Sequence, residues 1–175
     1  MIDEVLDIVD KNDAVIGKKT RNDIYRDNMS NFRVVNAFIQ NDKGQLCIPR
    51  RSTNKRIFPL CLDTSMGGHV ESGESYEDAF KRETMEELNI DITKITYKKI
   101  ASFTPHQHNM SAFMQVFLIY SNQTPQYNNN DFIEFFWLKP HEIINLIKDG
   151  EPSKGDLPKI IQNLCVDNLL SLTKK

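Results

Sequence analysis

The chain carries, at residues 68–74, the glycine-rich sequence Gly68-His69-Val70-Glu71-Ser72-Gly73-Glu74, and a helix-forming segment follows it directly. Ser75 is a residue type that caps helix N-termini, and Asp78 three positions later places a carboxylate in the first turn, where it suits the helix dipole. Asn89 tolerates the left-handed conformation in which many helices end. These signals predict a helix from Tyr76 to Leu88.

Three carboxylates fall on one side of this predicted helix, those of Glu83, Glu86 and Glu87. An acidic run is usually a solvated face, which would lie opposite the apolar residues. Here Ala79, Glu83 and Glu87 form one i, i+4 row, and it runs beside the row that starts at Phe80. Carboxylates at the edge of a packed face repel one another unless a cation neutralises them. Because hard divalent ions prefer oxygen ligands, the segment predicts a site for Mg²⁺, with Mn²⁺ as the alternative.

The spacing of this segment resembles the Nudix box. Gly68 is followed after five residues by Glu74, and after seven more by the pattern Arg-Glu-x-x-Glu-Glu. Two positions depart from the box, since Asn89 stands where it carries glycine and Thr84 where it carries a small or aliphatic residue. The resemblance implies a metal-dependent hydrolase in which water attacks the phosphoanhydride of a small nucleoside diphosphate-X or another organic diphosphate.

The resemblance also assigns roles to the carboxylates. It makes Glu83, Glu86 and Glu87 metal ligands and adds the backbone carbonyl of Gly67 as a further ligand. Either Glu83 or Glu134 would orient or deprotonate the water, and the sequence does not separate the two. Strand alternation could equally put Glu134 on a solvated face, because it lies in an apolar run. On the same helix, Arg82 is i, i+4 from Glu86 and is expected to orient this catalytic carboxylate through an ion pair.

Within the family, the segments 50–56 and 63–69 resemble the type I isopentenyl-diphosphate isomerases and their hydrolase-like relatives. In the isomerases, four basic positions hold the substrate diphosphate. All four are basic in this chain, which makes them candidate substrate-binding residues: Arg21, Arg51, Lys55 and Arg82. The alternative for Arg51 and Lys55 is a solvated basic loop without a ligand.

The isomerase chemistry itself is not expected. The catalytic cysteine of the isomerases corresponds to Gly67, and one of their metal-binding histidines corresponds to Phe32. Double-bond isomerisation needs an acid and a base on opposite faces of the carbon skeleton, so losing one of them should abolish it. The sequence therefore favours the hydrolase. An isomerase-like enzyme and a non-catalytic nucleotide-binding Nudix module remain the alternatives.

Length, composition and charge limit the possible number of domains, partners and cellular locations. The chain has 175 residues, of which 39% are hydrophobic and 26% charged, which predicts one domain spanning residues 1–175. A formal net charge of −2 gives no reason to expect a nucleic-acid partner. The start does not resemble a signal peptide, no apolar run reaches membrane-spanning length, and the three cysteines lack metal-site spacing. We therefore expect a cytoplasmic protein with a small-molecule partner and no membrane contact. The oligomeric state is left open, with a homodimer as one alternative.

The order of the predicted elements fits the same family. An α/β/α sandwich with a mixed central sheet is predicted, because helices flank a series of β-rich segments. Residues 21–27 are expected to be irregular, and His106 and His108 are expected in a loop, where histidines are mostly ordinary polar residues. His69 is a candidate for lining the site. The predicted strands are Glu4–Val9, Ala14–Lys18, Phe32–Gln40, Gln45–Arg50, Thr96–Phe103, Ala112–Ser121 and Phe132–Leu138, and two further helices are predicted at Pro140–Lys148 and Leu157–Leu172.

Overall fold

The computed structural model describes residues 3–167 and 169–170, and eight strands and five α-helices lie in these ranges. In chain order they are β1 (Val5–Val9), β2 (Val15–Thr20), α1 (Arg21–Arg26), β3 (Arg33–Gln40), β4 (Leu46–Arg51), β5 (Met66–His69), α2 (Tyr76–Leu88), β6 (Thr96–Phe103), α3 (Pro105–His108), β7 (Phe113–Tyr120), β8 (Phe132–Leu138), α4 (Pro140–Lys148) and α5 (Asp156–Val166).

The central sheet is mixed, as the sequence predicted. Its strands follow the order β6-β7-β3-β4-β8, and β5 pairs with β3 beside the short β3–β4 contact. Strands β3 and β7 run parallel, whereas the other neighbours are antiparallel. Strands β1 and β2 form a separate hairpin.

Helices cover both faces of this sheet, which confirms the α/β/α architecture. Alternate residues of β3 point to opposite faces. Val35 and Ile39 pack with Phe80 and Leu88 of α2 on one face. On the other face, Phe38 packs against the buried residues of α4 and α5, which include Ile143, Ile144, Leu157, Ile160, Ile161 and Leu164.

Helix α2 has the bounds and caps that the sequence predicted. The Ser75 hydroxyl accepts a hydrogen bond from the Asp78 backbone N–H at 3.1 Å. Asn89 adopts the left-handed conformation with a φ of 54°, so an asparagine ends the helix where the Nudix box carries glycine. The departure at this position leaves the helix end intact.

Four local predictions were wrong or incomplete. Residues 21–26 form α1 instead of an irregular segment, because the Thr20 hydroxyl caps the turn and Ile24 is buried beneath it. His106 and His108 lie in the single turn of α3, which begins at a proline and is capped by Thr104. Strand β5 was not predicted, since its two glycines carry no β signal. Helix α5 ends at Val166, and the rest of the predicted range Leu157–Leu172 is non-helical at residues 167, 169 and 170 or lies outside the described residues.

None of the helices in the described part of the chain has the length and apolar character that crossing a bilayer requires.

Candidate active site

A cleft of about 940 Å³ opens beside β3 and β5, and it collects most of the predicted site residues. It is lined by residues from the loop after β4, from β5, from α2, from α1 and from the start of α5. Eight of the nine candidates line it: Arg21, Arg51, Lys55, Gly67, Arg82, Glu83, Glu86 and Glu87. The ninth, Glu134, does not.

The glycine pair of β5 lets the carboxylates of α2 reach this cleft. The Gly67 backbone N–H donates a hydrogen bond to Glu87 Oε2 at 3.1 Å. A Cβ atom at Gly68 would lie 2.0 Å from Glu83 Oε1, so only glycine leaves room for this carboxylate. Helix α2 packs on one face of the sheet, and the missing side chains give its acidic groups access past the strand.

The three carboxylates differ in exposure. Glu87 is 8% exposed, and only 13% of the Glu83 side chain is exposed. The Glu86 side chain is 59% exposed, so it lies at the mouth of the cleft. The prediction that Glu83 and Glu87 continue the packed face of α2 is therefore confirmed, and Glu86 lines the same cleft from its exposed edge.

Burial makes the inner carboxylates hard to ionise. Desolvation raises the pKa of Glu87 to about 8, and the neighbouring charge of Glu83 adds to the rise. Burial also raises the pKa of Glu83, although the guanidinium of Arg82 opposes the effect. A positive charge bound beside these two groups would relieve both penalties.

Arg82 is the centre of an ion-pair network at the base of the carboxylates. Its Nε and Nη2 atoms donate to both carboxylate oxygens of Glu74, at 2.9 and 2.8 Å. Nη2 also donates to the His69 carbonyl at 2.9 Å, and Nη1 donates to Glu83 Oε1 at 2.8 Å. The Glu86 carboxylate lies 3.5 Å from Nη1, as the i, i+4 spacing predicted. Each nitrogen of the guanidinium thus holds a protein oxygen, which makes Arg82 an organiser of Glu83.

The carboxylates do not form a closed cage in this arrangement. Across the described ranges, no three carboxylate, imidazole or thiol groups come together as a ready metal site, because Glu83 and Glu86 turn towards Arg82. Mg²⁺ is often held by one or two carboxylates together with substrate phosphates and water. The buried Glu87 carboxylate, the nearby Glu83 and the backbone of Gly67 have the donor chemistry that such an ion needs.

The basic candidates are each paired with an internal acceptor. Arg51 is 12% exposed at its side chain and donates to Asp63 Oδ2 at 2.8 Å, and its other nitrogens donate to carbonyls of residues 57 and 58 at 3.0 Å. Lys55 forms an ion pair with Asp131. Arg21 Nη1 lies 2.9 Å from Glu4 Oε1. The alternative of a freely solvated basic loop does not hold for Arg51, since the loop wraps around this side chain.

His69 lies in a hydrogen-bonded chain that the sequence did not reveal. Its Nδ1 lies 3.0 Å from Glu4 Oε2, and its Nε2 lies 3.0 Å from the Tyr25 hydroxyl. The hydrogen bond with His69 is the main reason why the pKa of Glu4 is lowered to about 2, and burial lowers the pKa of His69. By contrast, His108 accepts a hydrogen bond from the Thr104 backbone N–H at 3.1 Å and stays outside the cleft lining.

Several further cleft residues had no recognisable signal in the sequence: Glu4, Tyr25, Asn36, Asp63, Asp131 and Lys154. Lys154 illustrates the reason. It lies in the loop before α5, and the bridge between Leu62 and Ser153 helps to bring this loop to the site, where the Lys154 Nζ lies 3.4 Å from Asp63 Oδ1. Such a long-range contact leaves no local pattern.

Glu134 lies on the edge strand β8, outside the cleft. It stands opposite Arg50 in the sheet register and pairs with the Arg50 guanidinium. Its side chain is 47% exposed. The structure therefore does not bring Glu134 to the other carboxylates.

Comparison with known proteins places this site in a family. The model of the NUDIX domain matches residues 30–159, which covers β3 to α4, including all of α2, and the first residues of α5. The chain belongs to the Nudix family. A Nudix hydrolase of Nostoc sp., itself uncharacterised, is 56% identical over 91% of this chain and 94% of its own length. A crystal structure from Deinococcus radiodurans is similar with a TM-score of 0.87 and 44% identity, over 91% of this chain and 98% of that one.

The comparisons support a Nudix hydrolase as the enzyme class. An isopentenyl-diphosphate isomerase of Photorhabdus laumondii is also similar, at 30% identity over 85% of this chain and 86% of its own length. The Nudix hydrolase of Nostoc sp. is more similar to this chain than the isomerase is, so the comparisons show the family and the hydrolase class and do not specify the substrate.

Proposed function

We propose that this Nudix hydrolase is a divalent-metal-dependent enzyme that hydrolyses the phosphoanhydride of a small nucleoside diphosphate-X or another organic diphosphate. The observation that carries the proposal is the burial of two carboxylates, Glu83 and Glu87, in a cleft that also holds basic side chains. Buried acidic groups of this kind are stable in the charged form only beside a cation.

The charge balance of the cleft supports a metal. Five basic side chains line it, but they face eight carboxylates: Glu4, Asp63, Glu71, Glu83, Glu86, Glu87, Asp131 and Asp156. A diphosphate entering alone would meet an excess of negative charge. The ion that the site requires is therefore one that screens the carboxylates and the diphosphate together. We propose Mg²⁺, with Mn²⁺ as a substitute.

The residues then have separate roles. Glu87, Glu86, Glu83 and the Gly67 carbonyl would hold the metal, which would neutralise charge on the phosphoanhydride oxygens and lower the pKa of a water molecule. Glu83 orients the attacking water, because it is the candidate base that lines the cleft. Arg82 fixes the carboxylate of Glu83 through its contact at 2.8 Å.

Basic residues would hold the diphosphate. Lys55 is the best placed of them, because its ammonium group shares the cleft with Glu87. Its positive charge partly opposes the rise that burial causes in the pKa of that carboxyl. Arg21 and Lys154 line the same space. Arg51 contributes mainly by holding the loop in which Lys55 lies, since its guanidinium already binds protein oxygens.

The isomerase alternative has little support in the cleft. A Cβ atom at Gly67 would lie 2.8 Å from Asn36 Oδ1 and 3.3 Å from Thr64 Oγ1, so a cysteine there requires these side chains to move. Phe32 is 3% exposed and offers no ligand atom. A non-catalytic binding module is the remaining alternative, and turnover separates it from the hydrolase.

The test is product release from a panel of nucleoside diphosphates, nucleoside diphosphate-sugars and prenyl diphosphates, with Mg²⁺, with Mn²⁺ and with a chelator. The proposal expects hydrolysis of at least one compound, dependent on the metal. Glu87→Gln should remove on the order of several kcal/mol of transition-state stabilisation while the protein stays folded. Metal-dependent binding without any turnover would instead identify a binding module.

We also propose a cytoplasmic location, on the basis of the cysteine thiols. Cys47, Cys61 and Cys165 are free cysteines, which suits a reducing compartment such as the cytoplasm.

A further inference from the structure

Asn36 is a polar residue on an otherwise apolar strand face. It lies in the middle of β3, directly opposite Gly67 in the register, and is 6% exposed. On the same face of the strand, its neighbours are Val34 and Phe38, which pack towards α4 and α5. An apolar residue of similar size would continue this core, so packing does not explain why an amide occupies the position.

The oxygen and the nitrogen of the Asn36 amide have hydrogen-bond partners of different quality. Oδ1 lies 3.0 Å from the Thr64 hydroxyl, within a buried polar cluster. Among the residues that the structure describes, Nδ2 donates only to the thioether sulfur of Met114, at 3.8 Å. A thioether is a weak acceptor, and a buried amide donor without a good acceptor costs roughly 1–3 kcal/mol. The amide nitrogen therefore has capacity for a better acceptor, and Asn36 lines the cleft from which one could arrive.

The surroundings of Asn36 differ from those of the carboxylates. Next to Asn36 the cleft lining includes apolar side chains, because Val34 is its neighbour on the same strand face and Met114 is its contact, and Leu157 and Ile160 line the cleft as well. The carboxylates Glu83, Glu86 and Glu87 come from α2, which packs on the opposite face of the sheet. A diphosphate belongs with the carboxylates and their metal, so the organic group of the same molecule would lie over the apolar side chains.

We propose that Asn36 determines specificity by donating a hydrogen bond from Nδ2 to an acceptor on this organic group, and that the group is a heterocycle such as a nucleobase. A ring nitrogen or carbonyl oxygen of a heterocycle satisfies the buried donor, and its flat faces suit the apolar side chains. A prenyl chain would fill the same space and leave the donor unsatisfied. This inference rests on the proposed function, because it takes the diphosphate to bind at the carboxylates.

Binding of non-hydrolysable ligands tests the inference without turnover. We would measure the affinity, in Mg²⁺, of α,β-methylene diphosphates carrying each common nucleoside, of a prenyl methylenediphosphonate, and of methylenediphosphonate itself. The variant is Asn36→Leu, which keeps the number and branching of the side-chain heavy atoms and removes the donor. Asn36→Ala serves if the leucine variant fails to fold. Val34→Ala is the matched control, since it shortens an apolar neighbour on the same strand face.

The wild-type protein should bind at least one nucleoside analogue more tightly than the prenyl analogue. Asn36→Leu should weaken that nucleoside analogue by about tenfold or more, leave methylenediphosphonate unchanged and strengthen the prenyl analogue. Val34→Ala should weaken both organic ligands alike. Equal affinity of wild type and Asn36→Leu for every nucleoside, or a wild-type preference for the prenyl analogue, overturns the inference. A uniform loss that includes methylenediphosphonate overturns it too, because it reports a structural role.

The result is separable from the proposed function. If no diphosphate is hydrolysed but the nucleoside preference depends on Asn36, the hydrolase proposal fails and the specificity role stands. If diphosphates are hydrolysed with no dependence on Asn36, the reverse holds.

Discussion

Glu83 lies so close to Gly68 that a Cβ atom at position 68 would stand 1.9 Å from its Cδ atom. The glycine is thus required by a side chain on another element. Gly68 has no positive φ, so the backbone itself would accept alanine.

The first prediction follows from this contact. Gly68→Ala should displace the Glu83 carboxylate from the cleft and break its 2.8 Å contact with Arg82. We expect kcat to fall by about 100-fold or more, because a displaced carboxylate no longer holds the attacking water in the reactive position. The melting temperature should fall much less than the activity. Gly73→Ala is not a suitable control, because Gly73 has a φ of 87°. Gly155→Ala is suitable, since a Cβ atom there meets open space. Unchanged kcat in Gly68→Ala would show that Glu83 does not act from this position.

The second prediction concerns the pH dependence of stability in the metal-free protein. The pKa of Glu87 is raised to about 8, so the folded state binds more protons than the unfolded state between the ordinary glutamate pKa and pH 8. The free energy of unfolding should therefore fall as pH rises through this window, by on the order of a few kcal/mol. Glu87→Gln should flatten this dependence, and saturating Mg²⁺ should also remove it. Chemical denaturation with a chelator present, at several pH values, measures it. A flat profile in the wild type contradicts the burial penalty.

The third prediction separates the two basic residues of the loop. Lys55→Ala should weaken substrate binding by roughly 1.5–3 kcal/mol with little change in stability. Arg51→Ala should lower the free energy of unfolding by about 3 kcal/mol, because the buried Asp63 loses its closer cationic partner at 2.8 Å and keeps only Lys154 at 3.4 Å. Kinetics and denaturation of both variants give the comparison. An unchanged kcat/KM for Lys55→Ala removes Lys55 from the substrate site.

The fourth prediction concerns Glu134. Because it lies on the exposed edge strand and pairs with Arg50, Glu134→Gln should keep kcat within about twofold of wild type, as other exposed substitutions do. Glu83→Gln, made as the matched change, should lose most of the activity. If Glu134→Gln is as damaging as Glu83→Gln, the water is activated from the other side of the substrate.

The fifth prediction is the absence of isomerase chemistry. Incubation with isopentenyl diphosphate in heavy water should give no enzyme-dependent deuterium uptake, since Gly67 and Phe32 supply neither acid nor base. Uptake that scales with protein concentration contradicts this reading of the two positions.

The sequence predicted well wherever a repeat or a cap carried the information. The helical period placed Glu83 and Glu87 correctly, and the caps gave both ends of α2. The different exposure of Glu86 could not be predicted, because a helical wheel gives a direction and not the depth of the neighbouring surface. The alternation along β8 gave no answer for Glu134, because an edge strand is partly exposed on both faces.

The remaining site residues come together only through tertiary structure. Asn36, Asp63 and Lys154 lie on a central strand and two loops, and each reaches the cleft because β5 pairs beside β3 and the loop before α5 crosses Leu62. Arg51 was expected to face a ligand, but the loop folds around it with Phe58 and Leu60 in left-handed conformations. Unlike the asparagine that ends α2, a phenylalanine or leucine with positive φ has no reliable sequence signal.

The glycine pair of β5 also lies between two groups of residues that could be substituted separately. The carboxylates of α2 belong to the helix layer on one side of the sheet, while Asn36 and its apolar neighbours belong to the layer on the other side. Because Gly67 and Gly68 contribute only backbone between them, we expect substitutions in one layer to leave the packing of the other largely intact. A lineage could therefore change which molecule it cleaves by altering the second layer alone, and retain the cleaving apparatus unaltered.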